Sequence, residues 1–392
     1  MYKRRILGST LLACIVSCSS VTEVEAPELA LVVERDVVGM SAGVPAALVE
    51  RLASSRVVVV GEVHFLQEHR AFVSALVRAL HARGFRQLLM EWPHAFDWVL
   101  MEYAFDGEPV PGWVPPKRLG GVLIDEVRAF NRTLPSEDRV RLGAIDVNLD
   151  DYGGAEAFRG SLRSIGEQLS SPGPLQAFLA GRYEGAERQR RMLDGLTGEL
   201  VEGRDQWISE WGEGRYRAIL EMVEFERASV PVRALRADRY DVSARLREEA
   251  IHRVADLRIA EVPGGTLINI GLTHAQKSGL FGTASTTWLS DYLTHESAVT
   301  AGSAFVLGAV AAEVETSPDG GRIQQLDGSP TNELLRLMHE AWPSESAFLP
   351  LDDPLFSSNG VPLNIGGAVY LCAPKEVFDG IVLFPLAHRD PG

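Results

Sequence analysis

The chain has 392 residues and 42.8 kDa, room for about two domains or for one large α/β domain with an insertion. Hydrophobic residues make up 46% and charged residues 23%, which excludes a disordered, collagenous or multi-span membrane chain. The formal net charge of −15 and a pI of 5.1 argue against a nucleic-acid partner.

Residues 1–20 read MYKRRILGSTLLACIVSCSS. Lys3, Arg4 and Arg5 form a basic start, and the apolar stretch that follows is too short to span a bilayer comfortably. Ile15-Val16-Ser17-Cys18 fits a bacterial lipobox, so residues 1–17 are expected to be a lipoprotein signal peptide with Cys18 acylated. Leu11-Leu12-Ala13-Cys14 fits less well. Ser19 after the cysteine favours an outer-membrane lipoprotein, periplasmic or at the cell surface, with residues 18–30 as a tether. After lipidation Cys372 is the one thiol left, so neither a disulfide framework nor a thiolate metal site is expected. It lies in an apolar run and reads as a buried small hydrophobe.

Downstream, strands alternate with helices. Val57 to Val60 form a β-branched run typical of a strand buried on both faces. Residues 68–83 carry Phe72, Leu76, Val77 and Leu80 at helical spacing, and Gly84 ends the helix. Leu88-Leu89-Met90 is a second strand, parallel to the first through a right-handed crossover. A helix ends near 125–131, and 140–145 is a third strand. Residues 153–230 are rich in Glu, Arg and Gln at helical spacing and read as an inserted helical subdomain. Then follow a short strand at 232–235, a helix at 240–257, a strong strand at 266–270, strands at 305–314, 368–372 and 380–384, and a helix at 332–341. The fold class expected is α/β: a mostly parallel central sheet flanked by helices, its halves (31–152 and 231–392) split by the insertion.

Two segments share a pattern: 57–64 (VVVVGEVH) and 267–274 (LINIGLTH) are each an apolar strand followed by Gly-x-x-His. In a parallel sheet ligands bind outside the carboxyl ends of the strands. Those ends carry Glu62, His64, Glu68, His69 and Arg70 after the first strand and Glu91, Trp92 and His94 after the second. Asp146 and Asn148 follow the third, and His274 and Lys277 the later one. His64 beside Glu62 suits a general base or a metal ligand held by a carboxylate, or else a loop histidine bonded to backbone. Glu91 ends an apolar strand, where a carboxylate is costly unless paired, so a structural ion pair is its alternative. Asp146 either contacts a ligand or caps its turn. Arg70 and Lys277 either hold an anion or are ordinary helix-end charges. His81, His252, His295, His339 and His388 lack such a setting. Trp92, Trp98, Tyr103, Phe105 and Trp113, with Pro115-Pro116, form either a lid or part of a core. No Gly-x-Ser-x-Gly elbow, Gly-rich phosphate loop, His-Glu-x-x-His or Cys-x-x-Cys is present.

Taken in order, these residues resemble the erythromycin esterase-like group and, more distantly, the ChaN haem-binding and Tiki/TraB-type proteins. The matching pieces are Gly61-Glu62-Val63-His64, the helix with Glu68 and Arg70, Gly84-Phe85, Leu89-Met90-Glu91, IDEVRAFN at 124–131 and Gly143-Ala144-Ile145-Asp146. Arg247-Glu248 and His274-Ala275 complete them. The likeness covers about 57–282, with a further strand near 378–382. One residue separates Glu62 from His64, where the esterase-like pattern usually has two; that spacing is closer to the ChaN branch. The resemblance implies a hydrolase of ester or amide bonds acting on a small molecule. Its catalytic set would be His64, Glu62, Glu91, His274 and Arg247, with Arg70, Asp146, Lys277 and Glu68 meeting substrate. His64 would activate water, and His274 with Arg247 would polarise the carbonyl. The alternatives it implies are a divalent metal on His64, Glu91 and His274, or haem held through the His64/His69 pair and Tyr103 and Tyr152; the preferred mechanism needs no cofactor.

Overall fold

The computed structural model describes residues 26–41, 43–106, 121–149, 154–181, 185–278, 286–315, 322–324, 333–365 and 368–389. Cys14, Cys18, Trp113, Pro115, Pro116 and Tyr152 lie outside them. The strands are β1 (Val38–Gly39), β2 (Val57–Glu62), β3 (Phe85–Pro93), β4 (Arg141–Asp146), β5 (Gly265–Gly271), β6 (Ala304–Glu315), β7 (Arg322–Gln324), β8 (Ala347–Pro350), β9 (Val361–Ile365), β10 (Ala368–Cys372) and β11 (Gly380–His388). The central sheet runs β1-β8-β11-β6-β2-β5-β3-β4, with β7 paired to the end of β6. From β11 to β4 all neighbours are parallel, and β8 is antiparallel to β11. The fold is therefore α/β with a mostly parallel sheet, and β9 and β10 form a separate antiparallel pair.

The sheet is covered on both faces, which explains the unbroken apolar strands. In β2, Val57 and Val59 enter one core while Val58 and Val60 enter the other. Helices Ala46–Ala53, Gln67–His81 and Gly121–Asn131 cover the second of these faces. Helices Ala26–Asp36, Tyr240–Glu261 and Glu333–Ala341 cover the first. Residues 26–30, assigned above to the tether, thus begin a helix whose Leu29 and Val33 are buried. Asn131 at a helix end acts as a clamp: its side chain donates to Ala104 O and Val140 O and accepts from Val140 N, all at 2.8 Å.

Between β4 and Tyr240–Glu261 the chain makes five helices, Gly154–Glu167, Pro174–Ala180, Ala186–Glu202, Arg204–Trp211 and Glu213–Leu235, with their own core around Phe158, Phe178, Leu196 and Ile219. The short strand expected at 232–235 is the last turn of the fifth helix. Its apolar residues read alike in either state over so short a run. Val230 and Val232 pack in as helix residues on either side of Pro231.

The parallel strands β2 and β3 are not neighbours, because β5 lies between them. Close packing at Gly61 supports this: a Cβ there would lie 2.5 Å from Ala275 Cβ and 3.2 Å from Leu272 Cα, in the turn after β5. Replacing Gly61 by Ala is expected to destabilise the fold by about 1–3 kcal/mol through overpacking, measured as a lower denaturation midpoint. An unchanged midpoint would show that the β2–β5 contact is loose.

Candidate active site

The carboxyl ends of β2, β5, β3 and β4 lie side by side and carry Glu62, Gly271, Glu91 and Asp146, Glu91 two residues before the end of its strand. His64 stands two residues beyond β2 and His274 three beyond β5. Arg247 and Glu248 come from the Tyr240–Glu261 helix. These groups meet in one cluster.

Glu91 is its centre. Its Oε1 accepts from Arg247 Nη2 at 2.5 Å and lies 3.3 Å from His274 Nε2. Its Oε2 accepts from Gly271 N at 2.6 Å and lies 3.7 Å from His64 Nε2. Burial disfavours the charged carboxylate, but the two imidazoles and the guanidinium outweigh it and hold the pKa of Glu91 well below the ordinary value. Arg247 is in turn fixed on Asp146, with Nε 2.7 Å from Oδ1 and Nη2 2.8 Å from Oδ2. Its side chain is 20% exposed, and among the described residues no partner falls on Nη1.

His64 is the accessible imidazole, with its side chain 39% exposed. Its Nδ1 faces Glu62 Oε1 at 3.2 Å, and Glu62 Oε2 accepts from Asn269 Nδ2 at 2.8 Å. A carboxylate on Nδ1 selects the tautomer with a lone pair on Nε2. Burial opposes charge on His64, but Glu91 and Glu62 prevail and raise its pKa above the ordinary value. The next residue, Phe65, has φ +68, a left-handed conformation unusual for a bulky side chain. It is a local strain of the kind found where a functional group is held out of a strand end.

His274 differs. Only 7% of its side chain is exposed, and both nitrogens are engaged, Nδ1 by Glu248 Oε1 at 2.5 Å and Nε2 by Glu91. Burial opposes its charge, yet Glu248 and Glu91 raise its pKa to about 10, so it is an imidazolium at neutral pH. It is therefore not free to polarise a substrate carbonyl, as expected above; it anchors Glu91. Gly271 makes room for the His64 ring and the Glu91 carboxylate, since a Cβ there would sit 2.7 Å from His64 Nε2 and 3.0 Å from Glu91 Oε2.

The four residues expected to touch substrate fare differently. Asp146 is fully buried and holds Arg247, while its Oδ1 also caps Val147 N at 2.7 Å. Lys277 pairs with Asp379 at 2.6 Å, and Asp379 also accepts from Val306 N, so this lysine ties the turn after β5 to the loop before β11. Glu68 bonds His388 at Nδ1 and at the backbone N, at 2.6 and 2.7 Å. Arg70 stays beside the cluster: burial lowers its pKa and the charge of Glu62 opposes that. Trp92 is core, packed edge-on against Phe96, rather than part of a lid. Cys372 is buried, and burial pushes its thiol up to about 12.

Two residues absent from the expected set belong to the site. Glu248 lies on the buried stripe Ala244, Glu248, Ile251, Ala255, Ile259. A charge in an apolar stripe at helical spacing is the signal that marks it. Asn269 alternates with Ile268 and Ile270 in β5, and its polarity in so apolar a strand is the corresponding sign.

Neither implied cofactor fits these side chains. Both oxygens of Glu91 are taken by cations and an N–H, and His274 carries its proton, so the trio with His64 offers a metal few lone pairs. Among the described residues no three His, Cys, Asp or Glu side chains are grouped to hold a metal. For haem, His69 is fully buried, accepts from Val63 N through Nδ1 and lies against Phe384, while Tyr103 donates to Asp125 at 2.6 Å.

No protein-family model matches the chain, and no curated protein matches it. Solved structures do. A Bacillus cereus protein superposes with a TM-score of 0.70 at 14% identity, covering 94% of this chain and 99% of its own. A mutant of erythromycin esterase EreC in its open conformation gives 0.65 at 16%, covering 88% and 94%. A succinoglycan biosynthesis protein gives 0.66 at 14%, covering 93% and 98%. The chain thus shares their fold, in line with the esterase-like resemblance. ChaN of Campylobacter jejuni, solved with cofacial haem, reaches only 0.30 at 10% identity.

The raised pKa of His274 has a consequence for stability. A folded value of about 10 against an ordinary 6.5 adds stability that is complete below pH 6.5 and fades as pH rises through 10. Urea titrations of the wild type are expected to show stability falling across that window, and a His274→Gln variant to show a shallower fall. Parallel curves would mean that His274 is not charged in the folded protein.

Proposed function

We propose that the chain is a hydrolase of carboxylic esters or amides, with His64 as the base. The observation that carries this reading is a partly exposed imidazole backed by a carboxylate on Nδ1, with its Nε2 3.7 Å from Glu91 Oε2 in a buried, charged cluster. Water bound at Nε2 gives a proton to His64 as its oxygen attacks the carbonyl carbon. Glu62 and Glu91 stabilise the imidazolium so formed. Charge gathering on the carbonyl oxygen meets Arg247 Nη1, the donor left over after Asp146 and Glu91 are served. The tetrahedral intermediate then expels the alcohol or amine, which takes the proton from His64. Products are an acid and an alcohol or amine, and the base is restored. Asp146, Glu248 and His274 act through their neighbours: they position Arg247 and Glu91.

The described elements all lie within residues 26–389, so a chain starting at Ser19 retains every one of them. With such a protein and a panel of p-nitrophenyl esters and anilides, His64→Ala is expected to lower kcat/KM by about 10²–10⁴. The rate should climb with pH as His64 loses its proton, with a midpoint above 6.5. Glu62→Gln removes a charge that raises that pKa, so the rising limb should move to lower pH. Full activity in His64→Ala, or a limb unmoved in Glu62→Gln, would refute the assignment.

The same proposal places the enzyme on a membrane through a lipid at Cys18, because the residues before it form a lipobox after a basic, apolar stretch. The full chain expressed in a Gram-negative host is expected in the membrane fraction and labelled by radioactive palmitate. Label retained in Cys18→Ser would exclude this site.

A further inference from the structure

A second cavity, of about 680 Å³, lies under the inserted helices, against the free edge of β4. That volume is within the range of small-molecule sites, which favour junctions between structural units. It is separate from the His64 cluster. Gln87 and Arg141, which line it, are register partners at the amino ends of β3 and β4. Glu91 and Asp146 are four and five residues further along, about 13–17 Å at strand rise.

The cavity contains buried polar machinery that the hydrolytic mechanism does not use. Arg258 lies against one side, bonded to Asp97 Oδ2 at 2.8 Å, to Glu261 Oε2 at 3.0 Å and to Glu221. Glu221 also holds His94 Nε2 at 2.9 Å. These carboxylates are thereby committed. Arg217 is paired with Glu213 at 2.6 Å. Two lining arginines are not so engaged: the side chain of Arg141 has no ion pair or hydrogen bond among the described residues, and that of Arg215 has only the Gln168 amide oxygen at 3.3 Å. The remaining wall is apolar, with Leu142, Ile165 and Met222 among its side chains.

The uncommitted charges are two guanidiniums, which match a carboxylate or similar head group. The apolar wall suits a hydrocarbon or aromatic body. We propose that this cavity binds an amphipathic organic anion, its acidic head on Arg141 and Arg215, its body between the insertion and the β4 edge, independently of the His64 site.

The test uses decanoate as probe and decyltrimethylammonium, with the same tail and opposite charge, as comparison. Isothermal titration is run on the chain from Ser19, below the micelle concentration of each. Decanoate is expected to bind about tenfold or more tightly than the cation. Arg141→Ala removes a charge-assisted hydrogen bond and should weaken decanoate about tenfold. Arg141→Ala breaks no side-chain hydrogen bond or ion pair among the described residues, so the fold should survive, checked by an unchanged melting midpoint. His64→Ala should leave the affinity as it is. No binding, equal binding of the cation, or an unchanged affinity in Arg141→Ala would overturn the proposal. An affinity lost in His64→Ala would do so too, by placing the anion in the catalytic cleft.

Discussion

A carboxylate at the end of a buried strand stays ionised only if its surroundings replace water, and Glu91 is the point on which this site turns. Its neighbours form a row of alternating charge: Asp146, Arg247, Glu91, His274 and Glu248. Each member is stabilised by the next, and the five come from four places: β4, β3, the turn after β5 and, for Arg247 and Glu248, the Tyr240–Glu261 helix. Removing one would leave its neighbour charged and poorly paired in a buried site, so the row is an interdependent unit. His64 is outside the row and approaches its middle member, Glu91, at 3.7 Å. That division separates the groups that set the field from the one group open to a reactant.

The order of the strands makes the row possible. β5 enters the sheet about two hundred positions after β2, yet it pairs with β2 on one side and β3 on the other. The two Gly-x-x-His segments therefore end in adjacent strands. Gly61 lets the turn after β5 pack against β2, and Gly271 lets His64 and Glu91 approach over the end of β5. The repeated motif has a steric reason at each copy: a side chain at Gly61 would meet Ala275 and Leu272, and one at Gly271 would meet His64 and Glu91.

Much of this was legible beforehand, and the remainder has physical causes. Strands buried on both faces announce themselves by unbroken β-branched runs, and β2 and β5 were plain for that reason. The position of β5 between β2 and β3 was not, because sheet order depends on long-range packing that local pattern does not encode. The polar residues at strand ends could be gathered from sequence, but their roles could not. Asp146 and His274 looked like ligand-facing groups, and burial makes them supports. Lys277 and Glu68 found partners in Asp379 and His388, at the far end of the chain, where no local spacing could reveal them. The strand expected at 232–235 failed because four residues, three of them apolar, are too few to show a period.

The insertion is also bound to this charge row. The chain leaves the sheet at Asp146 and comes back over it as the Tyr240–Glu261 helix, whose Arg247 forms a bidentate pair with Asp146. A second knot lies beside it: Asn148 donates to Glu226 at 2.8 Å, Arg233 donates to the Asn148 carbonyl at 2.6 Å and pairs with Glu226 at 2.6 Å, and Ser229 accepts from Asn148 N at 3.0 Å. Buried polar networks with their members satisfied hold one geometry far more strictly than apolar contact alone. The root of the helical subdomain is thus locked two residues beyond Asp146, where the charge row begins. Displacing those helices would require breaking the bonds of Asn148 to Glu226, Ser229 and Arg233, beside the aspartate that holds Arg247. The insertion and the site are coupled through that short segment after β4.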